Sequence, residues 1–247
     1  MKTKQPHPQR TDTLTVVARD GSGSFNAYLA LPPSGKGPGL VIAQEIFGVN
    51  DRMRMLADQF AAEGYVVLVP DLFWRIEPGI QLGYTPEDWQ KAFGYFNAFD
   101  VSKGLQDMQS TISALRAMPE STGEVGVVGF CLGGKVAYLS ASRTDADVAV
   151  AYYGVGIEGL LDEADLAQCD VVLHIAGKDQ YCPPEAQQQI VRTLAHRDGF
   201  EVYVYEGADH AFARPQGDHY DEEAASLAKR RTLAALARTI GHAAAHG

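Results

Sequence analysis

Val125-Gly-Val-Val-Gly-Phe-Cys-Leu-Gly-Gly-Lys-Val-Ala-Tyr-Leu139 changes its periodicity halfway along. The first four residues form a β-branched apolar run that suits a strand buried on both faces of a parallel sheet, and Lys135 to Ala141 reads as helix. Between them lies Gly129-Phe-Cys131-Leu-Gly133, a glycine–x–nucleophile–x–glycine elbow with cysteine at the nucleophile position. A turn this sharp needs glycine on both sides, because a Cβ at either place would press on the neighbouring strand or helix. It would lift the Cys131 sulfur above the sheet and set it at a helix N-terminus, whose partial positive charge favours thiolate. Free cysteine in an apolar run is also a common core filler. The flanking glycines at a strand-to-helix junction favour the nucleophile.

The 247 residues contain no Pro/Ser-rich linker, repeat or charge block, which predicts one α/β domain over residues 1–247, with residues 1–12 as a loosely held polar arm. Three cysteines, an odd number, and an N-terminus without an apolar segment point to a cytoplasmic protein without a disulfide framework. No apolar run reaches membrane-spanning length. A formal net charge of -10 would repel phosphate backbones, so neither nucleic acid nor membrane is an expected partner. The same charge would repel a small anionic substrate unless the site carried its own cations.

Outward from the elbow, strands and helices alternate. Thr13–Arg19 and Ser24–Leu31 read as an opening antiparallel hairpin across Asp20-Gly-Ser-Gly23. Leu40–Ala43, Tyr65–Val69, Val125–Val128, Asp147–Tyr152, Val171–Ala176 and Glu201–Tyr205 are the following strands. Helices are expected over Arg52–Glu63, from Thr85-Pro86 onward, and over Asp100–Met118, the elbow helix, Pro183 or Pro184 to His196, and Asp221–Ile240. This pattern predicts a mostly parallel sheet of about eight strands with helices on both faces.

Cys131 follows the fifth strand, Asp179 the seventh and His210 the eighth. Nucleophile, acid, histidine is the chain order of α/β-hydrolases, and all three residues follow the carboxyl ends of strands, where ligands sit in open α/β sheets. Taken singly, Gly177-Lys-Asp179 is ordinary turn chemistry and Asp209-His210 an ordinary loop; their joint occurrence in this order is what points to a triad. His210 would take the thiol proton while Asp179 holds the imidazole tautomer, and the backbone N–H groups of Leu132 and Ile46 would form an oxyanion hole.

Six segments, Gln44-Glu45-Ile-Phe-Gly-Val-Asn50, Pro70-Asp-Leu-Phe-Trp-Arg75, Gly129-Phe-Cys131-Leu-Gly-Gly134, Tyr152-Tyr-Gly-Val-Gly156, Asp179 and His210-Ala-Phe-Ala-Arg214, together resemble the dienelactone hydrolase (carboxymethylenebutenolidase) family, an α/β-hydrolase family. The resemblance implies opening of a carboxylate-bearing dienelactone ring to maleylacetate through a thioester. It implies that Arg75 and Arg214 hold the substrate carboxylate and that Glu45 gates the thiol, without metal or organic cofactor. Two arginines at strand ends would answer the acidic surface, since each can bind a carboxylate through paired hydrogen bonds. A buried Glu45 would need a partner, and Arg214 could supply it. Ala211 stands where the family often has serine, and Tyr181 and Cys182 where apolar residues are more usual, so pocket polarity and the particular lactone stay open. Cys169 reads as filler, and Cys182 as filler or a second redox-sensitive thiol. A related thiol carboxylesterase or lactonase is the main rival reading, and a thiol redox sensor a distant one. The sequence is silent on oligomeric state.

Overall fold

A computed structural model describes residues 11–241. Eight strands form one sheet in the order β1-β2-β4-β3-β5-β6-β7-β8. β1 (Thr11–Val17) and β2 (Ser24–Ala30) make the antiparallel hairpin, and β2 runs antiparallel to β4 (Val66–Pro70). From β4 through β3 (Gly37–Ala43), β5 (Ser121–Phe130), β6 (Val148–Tyr152), β7 (Asp170–Ala176) and β8 (Phe200–Tyr205) every pairing is parallel. This is the α/β-hydrolase fold, as expected. β1 is displaced by two residues from the expected Thr13–Arg19: its pairing with β2 reaches back to Thr11 opposite Ala30, and it ends at Val17 because the turn already starts at Ala18, whose N–H donates to Gly23 O at 2.9 Å. Of the expected N-terminal arm, residues 1–10 lie outside the described residues, and residues 11 and 12 belong to β1.

The central strands are buried on both faces, and alternate residues feed two cores. Leu40, Ile42, Val67 and Val69 pack on one side with α1 (Asp51–Ala62) and α6 (Glu222–Ile240). Val41, Ala43, Val66 and Leu68 pack on the other with α3 (Val101–Arg116), α4 (Leu132–Arg143) and α5 (Pro184–Leu194). The caps are local. Asn50 accepts from the N–H groups of Arg52 and Met53 at the start of α1, and Thr85 with Asp88 forms a reciprocal capping box at the start of α2 (Pro86–Ala98). A kinked 3-10 stretch, Ile157–Leu166, was not anticipated; it carries its own bend at Leu160. None of the helices among the described residues is long and apolar enough to cross a membrane.

Candidate active site

Cys131 sits between β5 and α4 with φ 57° and ψ −115°, a conformation that side-chain-bearing residues rarely adopt. Its N–H donates to Tyr152 O on β6 at 3.1 Å, and its carbonyl accepts from the N–H groups of Gly134 and Lys135 in the first turn of α4. The glycines allow this closeness. A Cβ on Gly129 would stand 1.8 Å from Gly133 O, and one on Gly133 would stand 2.1 Å from Ala43 O on β3. The thiol therefore lies at the carboxyl edge of the central strand and at a helix N-terminus, 7% exposed.

Asp179 and His210 come from the turns after β7 and β8. Asp179 Oδ1 accepts from Tyr181 N at 2.8 Å, and Oδ2 accepts from His210 Nδ1 at 2.7 Å; both side chains are buried. The carboxylate thus fixes the tautomer that leaves His210 Nε2 free to face a partner. Burial works against a charged imidazole, but Cys131, as a neighbouring charge and hydrogen-bond partner, together with Asp179 outweighs it and lifts His210 to about 10. A raised imidazole pKa suits a base that takes a proton from a neighbouring thiol and holds it. The rings of Tyr153 and Tyr181 meet the imidazole at steep angles, 61° and 73°, with centroids 5.1 and 4.8 Å away.

Glu45 and Arg214 form a second buried pair. Arg214 Nε donates to Glu45 Oε2 at 2.7 Å and Nη2 to Oε1 at 3.2 Å. The guanidinium stacks near Phe47 and Tyr84, 5.3 and 5.0 Å from their centroids. Burial opposes its charge, yet Glu45 more than compensates and holds it more firmly protonated than free arginine. Nη1 has no hydrogen bond among the described residues. The N–H groups of Ile46 and Leu132 likewise have no acceptor among the described residues. Tyr153 was not singled out from the sequence. It takes a positive φ of 37°, its buried hydroxyl lacks a hydrogen-bond partner among the described residues, and burial followed by the nearby charges of Glu45 and Cys131 pushes its pKa well up. The only sequence hint was its place directly after a strand in Tyr152-Tyr-Gly-Val-Gly156.

A cavity of about 270 Å³ opens over the thiol. Cys131, His210, Arg214 and Ile46 line it, Trp89, Phe93 and Phe96 of α2 form an aromatic wall, and Lys135 and Glu158 complete it with Tyr181. Arg75 does not reach it. Its Nε and Nη2 donate to Asp107 Oδ2 and Oδ1, each at 2.8 Å, and Nη1 donates to Ser22 Oγ at 2.8 Å. Nη2 also lies 3.0 Å from Asp20 Oδ2, and the guanidinium covers the Trp74 ring at 4.6 Å. The expectation that Arg75 grips a substrate carboxylate is corrected: its planar fork is filled by a buried aspartate of α3. Cys169 and Cys182 do not line the cavity, and burial pushes both thiols up to about 12.

A thiol on a strained elbow, an imidazole held by a carboxylate, and two unpaired backbone donors can support acyl transfer. With the sheet order above, they define an α/β-hydrolase. The dienelactone hydrolase family model matches residues 25–240, and the chain belongs to that family. Carboxymethylenebutenolidase of Pseudomonas sp. (strain P51) is 37% identical over 229 residues, covering 92% of this chain and 95% of its own length. The Pseudomonas putida carboxymethylenebutenolidase is 37% identical over 230 residues, covering 92% and 96%. A crystal structure from Klebsiella pneumoniae subsp. pneumoniae superposes with a TM-score of 0.79 at 27% identity, covering 93% of this chain and 99% of that one.

Proposed function

We propose that this protein opens the lactone ring of a carboxylate-bearing dienelactone, giving maleylacetate through a thioester on Cys131. The observation that carries the reading is the Cys131 thiol beside the His210–Asp179 pair, facing a cavity that also holds the buried Arg214. The relatives named carboxymethylenebutenolidase support the substrate class. Sγ attacks the lactone carbonyl, the N–H groups of Leu132 and Ile46 stabilise the oxyanion, and the ring C–O bond breaks to leave an enolate. His210, having taken the thiol proton, passes it to that oxygen. Water activated by His210 then cleaves the thioester, releasing a carboxylate and regenerating the thiol, and the enol ketonises.

Glu45 acts as a gate. While it is bound to Arg214 its charge is held away from the proton transfer. A substrate carboxylate competing for Arg214, first through the unoccupied Nη1, frees Glu45 to assist in deprotonating Cys131. The physical content is that one guanidinium cannot fully satisfy two carboxylates.

The aromatic wall of α2 favours a planar, unsaturated ligand, and it also keeps open a thiol carboxylesterase acting on aryl esters. Turnover of cis- and trans-dienelactone, set against a neutral aryl ester, separates the two. Cys131→Ala should lower lactone turnover by several orders of magnitude, and mass spectrometry of quenched enzyme should find the acyl group on Cys131. Retention of more than about a tenth of wild-type turnover by Cys131→Ala would remove the covalent mechanism.

A further inference from the structure

With Arg75 committed to Asp107, the cavity holds a different second cation. Lys135 lies in the first turn of α4, four residues after Cys131. Its side chain lines the cavity with Cys131 and Arg214. Its Nζ lies 5.7 Å from the centroid of Phe96, a contact with the aromatic wall, and it has no ion-pair partner among the described residues. Gly156 lies against the same ammonium, since a Cβ there would come within 3.3 Å of Nζ. A lysine near a helix N-terminus meets the positive end of the helix dipole, so α4 gains nothing in stability from it. Glu158 lines the same cavity without pairing to Lys135, and its Oε2 is buried without a hydrogen-bond partner among the described residues. One wall of the cavity therefore attracts an anion while Glu158 repels it.

We infer that Lys135 is a specificity-determining residue that captures the substrate's carboxylate as it enters on the α4 side of the cavity, before that carboxylate competes with Glu45 for Arg214. Arg214 is largely occupied by Glu45, whereas the Lys135 ammonium is free to give charge-assisted hydrogen bonds to an arriving anion. The aromatic face of Phe96 beside it suits an unsaturated acyl chain that ends in that carboxylate. Lys178, which faces a neighbouring cleft with His210 but not Cys131, lacks this position relative to the thiol. This inference deepens the lactone reading and rests on its acyl-transfer chemistry, but not on the lactone itself.

The test is a pair of matched aryl esters, mono-para-nitrophenyl adipate and para-nitrophenyl hexanoate, which differ in their terminal charge. In Lys135→Met, kcat/KM for the adipate should fall roughly tenfold or more, mainly through KM, while the hexanoate stays within roughly twofold. Lys135→Arg should recover most of the loss, and Lys178→Met should leave the ratio of the two esters unchanged. The adipate KM of the wild type should also rise with ionic strength, and that dependence should weaken in Lys135→Met. Equal losses on both esters, or none, would overturn the role of Lys135 even if dienelactone is turned over. Selective loss on the adipate in an enzyme that leaves dienelactone intact would keep Lys135 and remove the lactone.

Discussion

At Cys131 the backbone holds a conformation that costs of order 1–3 kcal/mol for a residue with a side chain, and the surrounding contacts must hold it there. Those contacts are backbone to backbone: Cys131 N to Tyr152 O, and the contact of Gly133 with Ala43 O that only a missing Cβ permits. Gly133→Ala cannot relieve its 2.1 Å overlap by rotating a side chain, so α4 must move away from β3. We expect a stability loss of about 1–3 kcal/mol in urea titrations, together with loss of most turnover. Turnover close to wild type would mean that the elbow tolerates a looser helix. This part of the site was legible in the sequence because its cause is local: two glycines two residues either side of a cysteine, at a change of period. Tyr153 was not legible. Its positive φ stands beside a hydrogen bond of its N–H to His174 O on the neighbouring strand, at 2.8 Å, and nothing in its own dipeptide signals it.

Between elements, Arg75 shows why a charge in sequence does not reveal its role. Both the carboxylate-binding reading and the structural one fit an arginine after a strand, and the deciding partner, Asp107, lies 32 residues away on α3. Asp107 also accepts from Trp74 Nε1 at 2.8 Å, and Asp20 and Ser22 come from the β1–β2 turn, so Arg75 clasps the hairpin to the helix layer. Arg75→Met leaves a fully buried carboxylate short of its counter-charge and should destabilise by about 3–5 kcal/mol. KM for an anionic substrate should stay at the wild-type value in the folded fraction. A selective rise in that KM, without loss of stability, would return Arg75 to the site. The same limit applied to α2. Thr85 and Pro86 announced its start through short-range chemistry, but Trp89, Phe93 and Phe96 at helical spacing look alike whether they face a core or a cavity.

Over the whole molecule, the strands that carry the site are tied to the C-terminal helix by a buried polar chain that the proposed chemistry does not use. His174 on β7 bonds through Nδ1 to Tyr205 OH of β8 at 2.9 Å and through Nε2 to Thr232 Oγ1 of α6 at 3.0 Å. Thr232 also bonds Tyr152 OH of β6 at 2.7 Å, the residue whose carbonyl holds Cys131 N. Burial, with a smaller effect from Arg231, lowers His174 to about 3, so the folded protein keeps this imidazole neutral. An unfolded chain protonates it near pH 6.5. Below that pH the unfolded state binds the extra proton, so stability falls as pH drops, and the decline from this group levels off near the folded pKa of about 3. The slope from His174 should approach about 1 kcal/mol per pH unit through pH 5 and 4. Urea unfolding across that range should show this slope in the wild type above the carboxylate background, and His174→Gln should remove it while lowering stability at pH 7 by leaving the Tyr205 and Thr232 hydroxyls imperfectly paired. Equal acid slopes in the two proteins would mean that the imidazole takes up its proton in the folded state as readily as in the unfolded one.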